Sequence, residues 1–288
     1  MQIATVRTEA GIVSGIVDGD ELADLTSTHP DAVSLLDAAT GPDRGDVESL
    51  IARAPRVALD EVEFLPPVPQ PRRILCVGTN YADHVAESDR VTERPDHPLI
   101  FSRYPSSLVG HGEALHRPPE STSFDYEGEV AIVIGRTTRR ATRETALDAV
   151  AGYSCFMDGT IRDWQRHTSQ FLPGKTFERT GSWGPWITTA DEIDDPTALT
   201  LRTELDGEQM QAATTAQLIF DLVDIITYCS TFTTLEPGDV IATGTPGGVG
   251  YARDPQRWLT PGSEISVEVS GVGRLSNPII DEPATETT

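Results

Sequence analysis

The chain has 288 residues, of which 38% are hydrophobic and 21 are prolines, and a formal net charge of −23. That length can bury a sizeable core in one large domain or two smaller ones. The charge repels nucleic-acid phosphates, and apolar runs such as VAIVIG (130–135) are too short to span a bilayer.

Three widely spaced cysteines, Cys76, Cys155 and Cys229, form neither a disulfide framework nor a zinc pattern. The first residues lack the charged-then-apolar pattern of a secretion signal, so a reducing cytoplasm is the expected location. The carboxylates are dispersed along the chain, and Lys175 is its single lysine. Salt adaptation and a GC-rich genome that favours arginine codons both account for that balance.

In chain order, residues 2–26 read as two or three short strands with Gly and Asp-Gly turns. Residues 31–55 read as helical, broken at Gly41-Pro42. Four prolines in VEFLPPVPQPRR (62–73) mark a linker. The expected organisation is a small N-terminal α/β domain (1–66), a Pro-rich linker (67–71), a main body (72–280) and a frayed tail (281–288).

Within the body, ILCVG (74–78), EVAIVIG (129–135), GYSCFMD (152–158), TLRTELDG (200–207) and DVIATGT (239–245) read as strands, and SEISVEVSGVGRLSNPI (263–279) as a hairpin. Two stretches carry helical spacing, ATRETALDAVAG (141–152) and TTAQLIFDLVDIITYCS (214–230). Many strands and few helices predict a β-rich α+β fold.

The segment FDYEGEVAIVIG (124–135) carries the most chemistry. Glu127 and Glu129 are two apart on a predicted strand, so they share a face. Adjacent carboxylates repel each other unless a cation lies between them. Asp158 ends the strand GYSCFMD after a predicted helical crossover and joins the pair if the strands are neighbours. Three such oxygens with open positions suit Mg²⁺ or Mn²⁺ rather than zinc. His84 and Glu87 are one helical turn apart, the spacing at which a carboxylate can orient a general base. TGTPGGVG (243–250) is a glycine-rich loop without the spacing of a dinucleotide or Walker motif.

In this order, GTNYADHVAE, DYEGEVAIVIG, GYSCFMDGTIRDWQ, PGKTF, GPWI, LEPGDVIATGTPGGVG and GRLSNPI resemble the fumarylacetoacetate hydrolase family over Ile74–Ile279. The resemblance implies a mixed β-roll body, a homodimer, and one Mg²⁺ or Mn²⁺ per subunit on Glu127, Glu129 and Asp158. It places His84, Glu87 and Lys175 in catalysis. It places Tyr81, Arg103, Arg162, Gln165 and Thr245 at the substrate, with Arg103 standing where many relatives carry lysine. Asn80-Tyr81 occupies the place of a fourth acidic ligand found in some relatives, so three protein carboxylates are expected.

The resemblance also implies a small 2-oxo acid or β-diketo acid as substrate. The first expectation is hydrolysis of an acylpyruvate-type C–C bond. An enolate would be stabilised by the metal and Lys175, with His84–Glu87 activating water. The alternative is isomerisation, tautomerisation or decarboxylation of an oxo-diacid, such as oxaloacetate or a hydroxymuconate-type intermediate of aromatic catabolism. A sugar-acid dehydratase and a catalytically inactive binding protein are further readings. The polar, Pro-broken stretch around residues 81–95 is expected to act as a lid.

Overall fold

The computed structural model describes residues 1–87 and 95–284. Segment 88–94 of the expected lid and the end of the expected tail lie outside those residues. The chain opens with strands β1 (Gln2–Thr8), β2 (Gly11–Asp18) and β3 (Glu21–Asp24), followed by helices α1 (Ala32–Thr40) and α2 (Arg44–Ile51). Asp31 starts α1 as an N-cap, accepting from the Ser34 N–H at 2.8 Å. Short strands β4 (Arg56–Ala58) and β5 (Glu63–Phe64) precede β6 (Ile74–Gly78), helix α3 (Ala82–Ala86) and β7 (Leu99–Ser102).

Next come β8 (Leu108–Val109), β9 (Leu115–Arg117), β10 (Phe124–Asp125), β11 (Gly128–Ile134), β12 (Val150–Met157) and β13 (Thr160–Ile161). Two single-turn helices, α4 (Arg162–Gln165) and α5 (Leu172–Lys175), lead to β14 (Gly181–Thr189). The chain finishes with β15 (Thr200–Leu205), β16 (Glu208–Thr214), α6 (Leu222–Phe232), β17 (Val240–Ala242), β18 (Glu264–Val269) and β19 (Gly273–Asp281). This is the expected β-rich α+β class.

A 12-stranded mixed sheet has the path β4-β3-β2-β1-β14-β12-β11-β17-β6-β7, with β5 on β1 and β8 on β14. Through the antiparallel β1–β14 pair, the N-terminal strands extend the sheet of the body. A second, five-stranded sheet runs β16-β15-β18-β19-β9.

Strand alternation divides the core. On β11, Val130, Ile132 and Ile134 pack with Val267 and Leu275 of the second sheet and with Ile225 and Ile226 of α6. Ala131 and Val133 face the other way, toward Leu35 and Leu36 of α1. Both faces are buried, so β11 is apolar at consecutive positions.

Two expected helices differ. No α-helix crosses over between β11 and β12; residues 135–149 hold only a short 3₁₀ turn at Leu147–Ala149. The two strands pair antiparallel, so a return loop suffices where a parallel pair would need a crossover, and Val150–Gly152 join β12. The helix expected from Thr214 begins at Leu222. Asn80 captures the chain just before it. The Ile219 N–H donates to the Asn80 carbonyl and the Phe220 N–H to Asn80 Oδ1, each at 2.8 Å. Asp221 then caps α6 by accepting from the Asp224 N–H at 2.7 Å.

Candidate active site

Strand register brings the acids together. In the β11–β12 pair, Gly128 lies opposite Met157. One step further, the Asp158 N–H donates to the Glu127 carbonyl at 2.8 Å. Glu127 sits just before β11 rather than inside it, and Glu127, Glu129 and Asp158 converge as expected. All three are buried, each offering an oxygen within 4.8 Å of the others. Gly128, between the glutamates, allows β15 to approach: a Cβ there would lie 2.0 Å from Thr203 Oγ1.

Three buried cations answer the acids. Lys175 Nζ donates to Glu127 Oε2 and Asp158 Oδ2, both at 2.6 Å. Arg162 pairs with Asp125 Oδ2 at 2.8 Å and with Glu127 Oε1 at 2.6 Å, and donates to Gln165 Oε1 at 3.1 Å. Arg103 donates to Asp158 Oδ1 at 2.6 Å, to the Gly159 carbonyl at 2.8 Å, and to Ser107 Oγ and Thr180 Oγ1, each at 3.1 Å. The Pro-Gly before the lysine has a packing reason. A Cβ on Gly174 would meet the Gln165 backbone nitrogen at 2.4 Å, so only glycine lets α5 lie against α4 and bring Lys175 beneath it.

Burial works against every one of these charges, and their neighbours decide the outcome. Burial would raise the Glu127 carboxyl, but Arg162 and Lys175 outweigh it and hold the group below its ordinary value. Burial would lower Lys175, but Asp158 and Glu127 keep it above its ordinary value, as an ammonium. A neutral amine for a Schiff base therefore has no support here. Glu129 is pushed well up, first by burial and then by Asp158 and Glu127.

The charge balance explains why Glu129 stands out. Asp125, Glu127 and Asp158 each have a basic partner within ion-pair distance. Among the described residues Glu129 has none, and its Oε2 accepts only from the Gly244 N–H, at 2.7 Å. A buried carboxylate cluster with one unneutralised member and hard oxygen donors fits a divalent cation of the Mg²⁺ or Mn²⁺ type.

The His–Glu pair and the glycine-rich loop close the opposite wall. His84 Nδ1 lies 3.3 Å from Glu87 Oε2, and Glu87 Oε1 accepts from the Gly248 N–H at 2.7 Å. The His84 ring is thus referenced to the loop through Glu87. Thr245 Oγ1 donates to the Gly128 carbonyl at 2.9 Å and accepts from Gln211 Nε2 at 2.8 Å, pinning the loop beside the glutamates.

These groups line a cavity of about 200 Å³, below the roughly 300–1,000 Å³ of sites for drug-sized ligands. His84, Glu127, Glu129, Arg162, Gln165, Lys175 and Thr245 all line it. Asp158 and Glu87 act from behind that wall. Arg103 and Tyr81, expected at the substrate, do not line it. The Arg103 guanidinium is drawn to Asp158, and Tyr81 is buried, bridging Leu218 where α3 begins.

Three side chains were not anticipated. Asp125 stands two before Glu127 in the same alternation, which was its only sequence signal; it anchors Arg162. Tyr251 and Arg166 also line the cavity, and nothing in their sequence neighbourhood marks them.

Arg103 is thus a positioning group for Asp158. Arg103→Met strands a buried carboxylate oxygen, and breaking such a pair costs about 3–5 kcal/mol. Thermal melts are expected to show marked destabilisation, with Arg103→Lys recovering part of it. A wild-type melting curve for Arg103→Met would contradict that role.

Fold and site together define an enzyme built around a buried carboxylate cluster with its own lysine and histidine. The model of the fumarylacetoacetate (FAA) hydrolase C-terminal region matches residues 73–280, and the chain belongs to that family. It is 37% identical over 277 residues, 96% of this chain and 87% of the relative, to a mitochondrial oxaloacetate tautomerase of Rattus norvegicus. The structure of a fumarylacetoacetate hydrolase from psychrophilic Exiguobacterium antarcticum matches with TM-score 0.85 at 36% identity, covering 98% of this chain and all of that one. A maleylpyruvate hydrolase from Sphingobium sp. SYK-6, in complex with manganese (II) ion and pyruvate, matches with TM-score 0.82 at 30% identity and the same coverage. Among the described residues no helix is long and apolar enough to cross a membrane.

Proposed function

We propose that the protein is a divalent-metal-dependent tautomerase of a small 2-oxo dicarboxylate, with oxaloacetate the first candidate. The observation that carries this reading is a small cavity lined together by Glu127 and Glu129 of the acidic cluster, Lys175, His84 and Arg162. The similarity to an oxaloacetate tautomerase supports it over C–C hydrolysis. The manganese held by the maleylpyruvate hydrolase supports Mn²⁺ or Mg²⁺ as the ion.

An ion held by Glu127, Glu129 and Asp158 would supply Lewis acidity at the 2-oxo group and its neighbouring carboxylate. The protein's own groups do the rest. Lys175 places an ammonium beside the oxygen that gains negative charge as the enol or enolate forms. His84 has Nδ1 engaged by Glu87, so Nε2 is the ring nitrogen left to exchange a proton with the substrate. In enolisation the C3–H bond breaks, its electron pair forms the C2–C3 double bond, and the C2 oxygen takes up the charge and then a proton. Ketonisation reverses these steps. The apolar rings of Phe101 and Phe171 on the cavity wall limit water around that charge.

The His84–Glu87 pair also keeps a second reading open, in which the base deprotonates water for attack on an acylpyruvate. Product analysis separates the two. Metal-loaded protein is assayed with oxaloacetate, acetylpyruvate and fumarylpyruvate. The tautomerase reading predicts faster enol–keto interconversion of oxaloacetate without added pyruvate formation, and little cleavage of the other two. Efficient release of pyruvate from either acylpyruvate would replace it with the hydrolase reading.

A further inference from the structure

The glycine-rich loop runs into a firmly held turn. Gly250 and Tyr251 lie in a short 3₁₀ turn, Gly250–Ala252, and the buried Asp125 carboxylate accepts from both of their backbone N–H groups, at 2.7 and 3.1 Å. Only glycine fits at 250, where a Cβ would lie 1.8 Å from the Arg257 carbonyl oxygen. The same carboxylate takes Arg162 Nε at 2.8 Å. The Arg162 guanidinium carbon stands 4.7 Å from the centre of the Tyr251 ring, within cation–π range. The backbone and ring of Tyr251 are thereby fixed on the cavity wall.

The Tyr251 hydroxyl reaches the segment that carries His84, donating to the Glu87 carbonyl at 3.1 Å. Burial pushes the phenol above its ordinary value, so it stays protonated and keeps that bond. Glu87 ends α3, a helix of five residues. Such a helix is too short to hold its own shape, and its last carbonyls have no partner within it. At its start, Tyr81 is buried and bridges Leu218. At its end, Glu87 is held at two points. The Gly248 N–H binds its carboxylate at 2.7 Å, and Tyr251 binds its backbone. The first bond alone would let the backbone shift under a flexible side chain; the second removes that freedom.

We propose that Tyr251 is a positioning residue for proton exchange at His84: through the Glu87 carbonyl, its hydroxyl fixes the backbone that carries the His84–Glu87 pair. The inference rests on the reading in which His84 is the base. His84 Nδ1 lies 3.3 Å from Glu87 Oε2, toward the long end of a hydrogen bond. A small displacement of Glu87 therefore breaks the pair and releases the ring, and proton transfer is sensitive to such misplacement. The acidic cluster and Lys175 are held by other contacts. Loss of the hydroxyl should thus slow turnover without weakening the binding of ion or substrate.

Tyr251→Phe tests this, because it removes the hydroxyl and keeps the ring under Arg162. Mn²⁺-loaded protein is assayed with whichever of oxaloacetate, acetylpyruvate and fumarylpyruvate the wild type turns over. The variant is expected to lower kcat about tenfold, the scale of one hydrogen bond, with KM and Mn²⁺ affinity within about twofold of wild type. Amide hydrogen exchange over residues 82–87, which needs no substrate, is expected to quicken. Added to His84→Asn, Tyr251→Phe is expected to cost no further turnover, because the two act as one unit. Unchanged kcat or unchanged exchange in Tyr251→Phe would overturn the assignment. So would a loss of kcat accompanied by weaker substrate or Mn²⁺ binding, or an equal loss in both backgrounds. Full turnover in His84→Asn would instead sink the base reading, and the assignment with it.

Discussion

Glu129→Gln is expected to abolish stoichiometric Mn²⁺ binding and to lower turnover at least about a hundredfold while leaving the protein folded. The scale follows from single charge-stabilising groups in other active sites, which are worth about 2.7–4 kcal/mol. The direction follows from the charge pattern. Glu127 and Asp158 have cations at 2.6 Å, whereas Glu129 faces them with only the Gly244 N–H on one oxygen. Glutamine keeps the shape and can still accept that bond, but it removes the unneutralised charge. In the metal-free protein the change should relieve repulsion, so the melting temperature should stay level or rise. With Mn²⁺ present, wild type should gain stability by linkage and the variant should not. A variant that still binds one ion with wild-type affinity would show that Glu129 is not a ligand.

The second large effect concerns Lys175. Its Nζ lies between two carboxylates, with the Asp158 carbonyl a further 3.3 Å contact, and the side chain is 1% exposed. A compact ammonium fits that niche, whereas a guanidinium is a wider planar fork. Lys175→Arg keeps the charge, yet is expected to lower turnover at least about a hundredfold by displacing Glu127 and Asp158. Lys175→Met should also destabilise the fold, because it leaves buried carboxylates without a partner. Near wild-type turnover in Lys175→Arg would mean that positive charge alone suffices. Since Lys175 is the only lysine in the chain, borohydride trapping with substrate would report directly on a Schiff base; no lysine adduct is expected.

Much of the site was legible because it follows from strand periodicity. The apolar run after Glu129 and the run before Asp158 both read as buried strands, but the helical crossover expected between them does not form, and it is the antiparallel register of the structure that brings the acids together. The His84–Glu87 pair follows in the same way from one helical turn. What was not legible depends on contacts between distant segments. Arg103 turns toward Asp158 instead of the cavity, because a buried carboxylate across 55 residues attracts it. The stretch 214–221 has helical spacing, yet Asn80, some 140 residues away, binds its backbone and delays the helix to the Asp221 cap. Tyr251 follows the glycine-rich loop with nothing local to mark it; its place on the cavity wall, with the Arg162 and Arg166 guanidiniums over its ring, depends on segments far away in sequence.

The most direct test of the central claim is to follow oxaloacetate enol–keto interconversion on protein stripped of metal by chelation and then reloaded with Mn²⁺ or Mg²⁺. The account predicts little acceleration by the stripped protein. On reloading it predicts full recovery, saturating at one ion per chain and absent in Glu129→Gln, with no pyruvate released above background. Equal rates before and after reloading, or pyruvate as the main product, would contradict it.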